Sequence, residues 1–476
     1  MDAPGWLAPL ARALDARLVE THISWVLLAP AVALKLKKPV RLPFVDYGTL
    51  EARRRFCEEE VRLNARLAPS LYLGVSRITR TARGVAVDGE GEVLEYAVRM
   101  RRFPDGALFS ERAAAGLLGD GEIDALAQLL AGFHASTPAA PRDSGFGAPA
   151  RRRDAALAVL EGAVAALGPG PAARLAKWLE GEAARLAPLW RCRAEAGRVR
   201  ECHGDLHLAN IVRLDGRVCA FDAIEFDPAL RWIDVLDDVA FAVMDLAACG
   251  HRALAFRLLN GWLDATGEHE AVPGLRFSLV YRALVRAQVH TLQSGPSGAR
   301  AQCYARSALE WSSPGPRQLT VMYGLPGSGK TFASQRLLQE QGAIRARSDV
   351  ERKRLFGLGM LADTRAAGVQ AYTGDVSRRT YDRLFDIAGE ALAAGFPVIL
   401  DAAFLQRAQR LRARQLAVRA GASFRIAVCD APPEVLRQRL RERHGDASEA
   451  DVAVLETLRA AAEPPGADEL ACGAAM

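Results

Sequence analysis

Hydrophobic and polar positions change period several times along the chain. The short apolar runs Trp25–Leu28 and Ala31–Leu36 predict strands. Residues 49–68 predict an amphipathic helix. Phe56, Leu63 and Leu67 fall at i, i+7 and i+11, with Cys57 and Val61 flanking them. Residues 71–102 alternate again, most clearly at Val93–Val98. From about 111 to 195 the pattern is helical. Residues 201–222 hold short strands and polar loops, and helices dominate from about 230 to 311. A strand-rich lobe followed by a helical lobe predicts a bilobal α+β domain over 1–311. Ser312–Arg317 is a cluster of helix breakers and marks a boundary. Beyond it, strand-like runs at 319–323, 343–347, 397–400 and 424–429 alternate with helical stretches. That βαβ alternation predicts an α/β domain with a parallel sheet over 317–476. The Ala/Gly-rich end, 461–476, reads as a loose tail.

Composition narrows the class without naming a chemistry. Half the residues are hydrophobic and 25% are charged, the balance of a soluble globular protein. The net charge of +6 suits anionic ligands such as nucleotides but does not demand nucleic acid. Eight cysteines, at 57, 192, 202, 219, 249, 303, 429 and 472, show neither C-x-x-C pairs nor zinc spacing. They are expected to be buried free thiols in a reducing compartment. The N-terminus shows no secretory pattern. The apolar run Val239–Met244 is ended by Asp245, far short of a membrane span. The expected location is the cytoplasm, with no membrane partner.

Gly324–Thr331 fits G-x-x-x-x-G-K-[ST] in full, after an apolar strand and before a helix. In such a P-loop, Gly324, Gly327, Ser328 and Gly329 turn backbone N–H groups around phosphates. Lys330 reaches the β/γ-phosphates and Thr331 holds Mg²⁺. Asp349 follows the strand 343–347 and is a candidate base, with Arg352 orienting an acceptor. The alternative is that Asp349 caps the next helix. Asp401, ending the strand 397–400, is a candidate to organise Mg²⁺. Arg439 and Arg443, at i and i+4, would close over phosphates. Alternatively they belong to a solvated Arg-rich helix, with Arg437 and Arg441.

The second constellation is His203-Gly-Asp-Leu-His-Leu-Ala-Asn210, then Phe221-Asp-Ala-Ile-Glu-Phe-Asp227. Asp205 and Asn210 have the D-x-x-x-x-N spacing of a kinase catalytic loop. Asp222 follows a short apolar strand. Asp205 would accept a hydroxyl proton, while Asn210 and Asp222 hold metal. Lys35, in Val32-Ala-Leu-Lys35, matches the strand lysine that binds the α/β-phosphates. Glu60 projects from the middle of the apolar face of helix 49–68 and needs a cation there, for which Lys35 is the candidate. Were that face solvated, Glu60 would be ordinary. His203 and His207 are expected to be scaffold groups, as are Asp234 and Asp238, placed on one helix.

On these motifs residues 1–311 resemble the aminoglycoside phosphotransferase and choline kinase group. The resemblance implies a protein-kinase-like fold and a small-molecule hydroxyl acceptor. Residues 317–476 resemble the P-loop kinases that include polynucleotide kinases, zeta-toxin-like kinases and chloramphenicol phosphotransferases. The pieces that carry this are GLPGSGKT, the D-x-x-R of Asp349 to Arg352, Asp401, and the R-x-x-x-R of Arg439 to Arg443. Over its length the chain resembles bacterial fusions of two such domains. One departure stands out. Residues 6–47 contain no glycine, so phosphates at Lys35 must be covered otherwise, for which Ser24 is the candidate.

Three functions follow as expectations. The first is a bifunctional phosphotransferase using ATP and Mg²⁺. The second is a nucleotide-binding sensor with weak turnover. The third is a nucleic-acid 5′-hydroxyl kinase in the C-terminal half, disfavoured by the modest charge and the lack of an aromatic-studded basic stripe.

Overall fold

Period-two alternation builds the first sheet. In the computed structural model, which describes residues 3–42, 45–82, 84–442 and 445–470, Leu34 and Leu36 point to one face of the strand Val32–Lys37. Ala33, Lys35 and Lys37 point to the other. The sheet is antiparallel, in the order Arg17–Glu20, Ser24–Leu28, Val32–Lys37, Glu92–Arg101, Tyr72–Thr81, Gly84–Val87. The edge strand Arg17–Glu20 was not foreseen, because its four residues are exposed and lack an apolar face.

One face of the sheet buries Trp25, Leu27, Leu34 and Leu36 with Leu7 and Leu10 of the helix Leu7–Ala13. The other face packs Val98 and Met100 against Cys57 of the helix Leu50–Asn64. Thr49 caps that helix, its Oγ1 accepting from Ala52 N at 3.1 Å. Two short antiparallel ribbons follow, Ile211–Leu214 with Arg217–Ala220 and Val199–Glu201 with Trp232–Asp234. These elements belong to one compact unit, Met1–Ala148 with Arg191–Asp238.

The second unit is Pro149–Trp190 with Val239–Met476. Its helix Leu275–Ser294 packs on Ala299–Ser312 and on Pro149–Leu167. Trp190 meets Phe277 edge-on at 4.9 Å between ring centroids. Its sheet is parallel, in the order Ile344–Arg347, Val398–Asp401, Gln318–Tyr323, Ser423–Val428. The order places Gln318–Tyr323 centrally and its C-terminal end at the ligand crevice of an α/β sheet. Contacts gather the helices before the 313–317 connector and the sheet after it into this same unit.

Several expectations need correction. Residues 461–470 are docked, not loose: Glu469 is buried and receives Arg410 Nε at 2.9 Å, and Arg410 Nη1 donates to Glu463 O at 2.9 Å. Residues 471–476, including Cys472, lie outside the described residues. Cys192 and Cys249 are exposed, so not every thiol is buried. Asp234 ends a strand and precedes the helix Val235–Ala248 instead of sharing it with Asp238. Among the described residues, no helix is long and apolar enough to cross a membrane.

Candidate phosphoryl-transfer sites

In the first unit, strand and helix bring opposite charges together. Lys35 Nζ lies 3.0 Å from Glu60 Oε1 and also bonds Asp222 Oδ1. Glu60 is fully buried, on the apolar face where the helical spacing puts it. Glu58 and Glu59 point away, to Arg54 and to Arg62 with Arg231. Burial alone would raise the Glu60 pKa. Lys35 and Lys37 outweigh that and hold it well below the usual carboxylate range. Burial likewise opposes the charge on Lys35, but Asp222 and Glu60 push its pKa well up.

The sequence reading missed Lys37, Glu225 and Tyr47. Lys37 donates to Glu60 Oε2 at 2.7 Å and to Glu225, and the Tyr47 hydroxyl donates to Glu225 Oε1 at 2.5 Å. Period two was the available signal: Lys37 must share the face of Lys35.

The catalytic-loop residues are held by backbone. Asn210 Nδ2 donates to Asp205 O at 2.9 Å and to Asp205 Oδ2 at 3.2 Å. His203 Nε2 bonds Phe221 O at 2.8 Å, and its Nδ1 accepts from Asp205 N at 3.3 Å. Burial lowers the His203 pKa, keeping it neutral in this bridging role. Asp238 accepts from the backbone N–H groups of His203 (3.1 Å) and Gly204 (2.9 Å) and faces His134 Nε2 at 3.1 Å. His134, His203 and Asp238 thus brace the loop, while His207 Nε2 lies 3.4 Å from Asp205 Oδ2. Asp222 sits at φ +64°, a left-handed conformation costly for a non-glycine residue. Its N–H donates to Tyr72 Oη at 3.1 Å, and the next N–H donates to Asn64 Oδ1 at 2.8 Å. The helix that carries Glu60 therefore also fixes the Asp222 loop.

Two glycine-free tips flank the strand Ser24–Leu28: residues 21–23 join it to Arg17–Glu20, and Ala29-Pro30-Ala31 joins it to Val32–Lys37. The latter is a tight turn, with Ala29 N donating to Val32 O at 2.9 Å. Arg102 pins it, Nη1 donating to Ala29 O at 3.2 Å and N to Ala31 O at 3.1 Å. Ser24, the candidate cover, is buried beside the turn 21–23, where its N–H donates to Thr21 Oγ1 at 2.9 Å.

The P-loop of the second unit opens into a cleft of about 1020 Å³. Gly324, Gly327 and Gly329 all have positive φ. At Gly324 a Cβ would run into the Cys429 carbonyl and lie 2.6 Å from Ser328 Oγ, so the backbone itself forms the cradle. Lys330 Nζ donates to Leu325 O at 2.9 Å. Arg439 Nη1 donates to Gly327 O at 3.0 Å and so touches the loop, whereas Arg437 pairs with Glu434 and Glu456. Arg443 lies outside the described residues.

Thr331, Asp349, Arg352, Arg439 and Asp401 line one cleft. Asp349 is in the first turn of the helix Ser348–Arg354, whose N-terminus has no side-chain cap. Among the described residues Asp349 makes no hydrogen bond or ion pair, so its carboxylate is open to a ligand. Arg352 is buried, stacks on Tyr372 at 4.9 Å and donates to Ala371 O at 3.1 Å. Burial, with the Asp349 charge, pushes the Tyr372 hydroxyl up to about 12. Ser334 Oγ donates to Asp401 Oδ2 at 3.0 Å.

The donor sets suit the implied metal. Asn210 with Asp222, and Thr331 with Asp401, present hard oxygen atoms, the ligands Mg²⁺ prefers. The open glycine cradle fits the phosphates of a nucleotide.

Fold and constellations together define a kinase-type phosphotransferase acting on hydroxyl groups. Residues 49–272 match the phosphotransferase enzyme family, and residues 319–465 match an AAA domain family. The uncharacterized proteins Rv2004c of Mycobacterium tuberculosis (strain H37Rv) and Mb2027c of Mycobacterium bovis are each 31% identical over 453 residues. The aligned stretch is 93% of this chain and 89% of the relative. The chain belongs to one family with these mycobacterial proteins. A solved glucosamine kinase is 18% identical, covering 62% of this chain and 73% of its own, at a TM-score of 0.36.

Proposed function

We propose that the chain carries two separate ATP-dependent phosphoryl-transfer sites, both dependent on Mg²⁺ and both acting on small-molecule hydroxyl acceptors. The observation that carries the reading is the meeting of Lys35, Glu60 and Asp222. A phosphate-binding cation, its helix partner and a metal-binding carboxylate converge beside Asp205 and Asn210. At this site Asp205 accepts the acceptor's proton as the new oxygen–phosphorus bond forms and the bond from the γ-phosphorus to the β–γ bridging oxygen breaks. Bound metal supplies charge neutralisation on the phosphates. Asn210 orients Asp205, and Glu60 holds Lys35 in place. At the P-loop site, Asp349 has the base role, Arg352 orients the acceptor, and Lys330 and Arg439 sit at the phosphate cradle.

A second reading is favoured by one feature, the glycine-free turn 21–23 between the first two strands. Without glycine its backbone cannot close over phosphates as a glycine-rich loop does, which favours slow turnover at the N-terminal site and a sensing role there.

The test is transfer of labelled phosphate from ATP to a metabolite extract, using the full chain and the variants Asp205→Ala and Lys330→Ala. Each variant should remove its own subset of labelled products, with rate losses of at least about 100-fold. If neither lowers transfer or hydrolysis, the enzymatic reading fails. Hydrolysis lost at Lys330→Ala alone would support the sensing role for the N-terminal site.

A further inference from the structure

The outer edge of the parallel sheet, the strand Ile344–Arg347, has backbone groups that need partners. A helix from the phosphotransferase-family segment supplies them. Asn260, on the helix Arg252–Thr266, is buried. Its Oδ1 accepts from Arg345 N at 2.7 Å, and its Nδ2 donates to Ala343 O at 2.9 Å. The amide takes the place of a neighbouring strand.

One helical turn later stands Asp264, also buried. Its Oδ2 accepts from Arg345 Nη2 at 2.9 Å and lies 3.8 Å from Arg347 Nη1. The same two arginines reach toward the strand-end carboxylate Asp401. Arg345 Nη1 donates to Ser334 Oγ at 3.3 Å, and Ser334 Oγ donates to Asp401 Oδ2 at 3.0 Å. Arg347 Nε lies 3.7 Å from Asp401 Oδ2, and its Nη2 donates to Asp446 Oδ1 at 3.2 Å. Two guanidinium groups are therefore shared among three carboxylates, Asp264, Asp401 and Asp446. Asp264 lies within reach of both.

We propose that Asp264 is a positioning residue of the P-loop site: it competes with Asp401 for Arg345 and Arg347, so that Asp401 is only partly neutralised and stays able to organise the metal of a bound nucleotide. The proposal rests on the reading of the P-loop as a Mg-ATP site. The pairing gives the reason. Asp264, Asp401 and Asp446 share Arg345 and Arg347 in a cleft that Lys330, Arg352, Arg439 and Asp349 also line. Neutralising Asp264 removes one negative charge from that balance and releases two arginines to pair more fully with Asp401. A helix contributed by the phosphotransferase-family segment thus becomes a working part of the second nucleotide site. The 313–317 connector does not separate that site from its support.

The test is nucleotide binding by the full chain as a function of Mg²⁺, with a fluorescent ATP analogue whose P-loop component is identified by its loss in Lys330→Ala. Asp264→Asn should raise the Mg²⁺ concentration for half-maximal binding about tenfold or more. The double variant Asp264→Asn/Arg345→Met removes one charge of each sign and should bring the requirement back toward wild type. A purely structural role would lower the melting temperature in these variants and leave the Mg²⁺ requirement where it was, which would overturn the proposal. Should Asp264→Asn not fold, Arg347→Met tests the same balance in reverse. It should lower the Mg²⁺ requirement, and an unchanged requirement would overturn the proposal. Lys330-dependent binding in wild type with no response to these substitutions sinks this inference alone. Absence of such binding in wild type sinks the P-loop reading with it.

Discussion

The Glu60 carboxylate, fully buried in the first unit, lies 2.7 Å from the Lys37 ammonium. Because Glu60 also holds Lys35, one carboxylate serves two lysines on the same face of one strand. Lys37 in turn binds Glu225, three residues beyond Asp222. The helix carrying Glu60 and the loop carrying Asp222 are therefore tied through a cation that itself stays away from solvent. Such a network specifies geometry, and each member depends on the others, because an unpaired buried charge is costly.

Lys37→Met should destabilise the first unit by about 3 kcal/mol, since Glu225 and Glu60 lose a buried partner. Urea denaturation of the full chain measures this. Adding Glu225→Gln should recover a substantial part of the loss, because the orphaned charge is then gone. A single variant as stable as wild type would show that the network contributes little.

Asp238 sets a pH dependence. Burial would raise its pKa, but the His134 hydrogen bond and charge and the Gly204 N–H bring it down to about 2. A carboxylate depressed in the folded state stabilises fully above its unfolded pKa of about 3.9 and loses that stabilisation as pH falls toward 2. The drop across that window should be about 2 kcal/mol from this group. Asp238→Asn should flatten the stability profile between pH 4 and pH 2 and lower stability at pH 7. Thermal melts across that range check both.

Gly324→Ala should abolish nucleotide binding at the P-loop while leaving the first site intact. Its φ of +153° and the approach of Ser328 Oγ, 2.6 Å from an added Cβ, leave no room for a methyl group. The expected loss in affinity is at least about 100-fold, because the cradle must distort away from the phosphates. Retention of wild-type affinity would mean the loop binds no phosphate.

Much of both sites was legible because their chemistry comes in short local spacings. The P-loop needs eight consecutive residues, and Asp205 to Asn210 span one loop. Glu60 could be placed because helical period puts a carboxylate on an apolar face, and burial makes a partner obligatory. Lys37 and Glu225 went unread although the same logic covers Lys37, since strand period two puts it beside Lys35. Asp264 was not legible at all. Its partner Arg345 is 81 residues away in sequence, and no local period announces a contact of that separation. The docked end, residues 461–470, escaped for a similar reason. Ala/Gly-rich composition suggests looseness, yet the buried pair of Arg410 with Glu469, together with bonds from Arg410 to Glu463 O and from Gln406 to Ala461 O, anchors it.

Calorimetric titration of the full chain with Mg-ATP addresses the central claim, two independent nucleotide sites, most directly. The expected result is two binding events per chain, one removed by Lys35→Ala and the other by Lys330→Ala, each variant leaving its counterpart unchanged. A single event, or uptake indifferent to both substitutions, would contradict it.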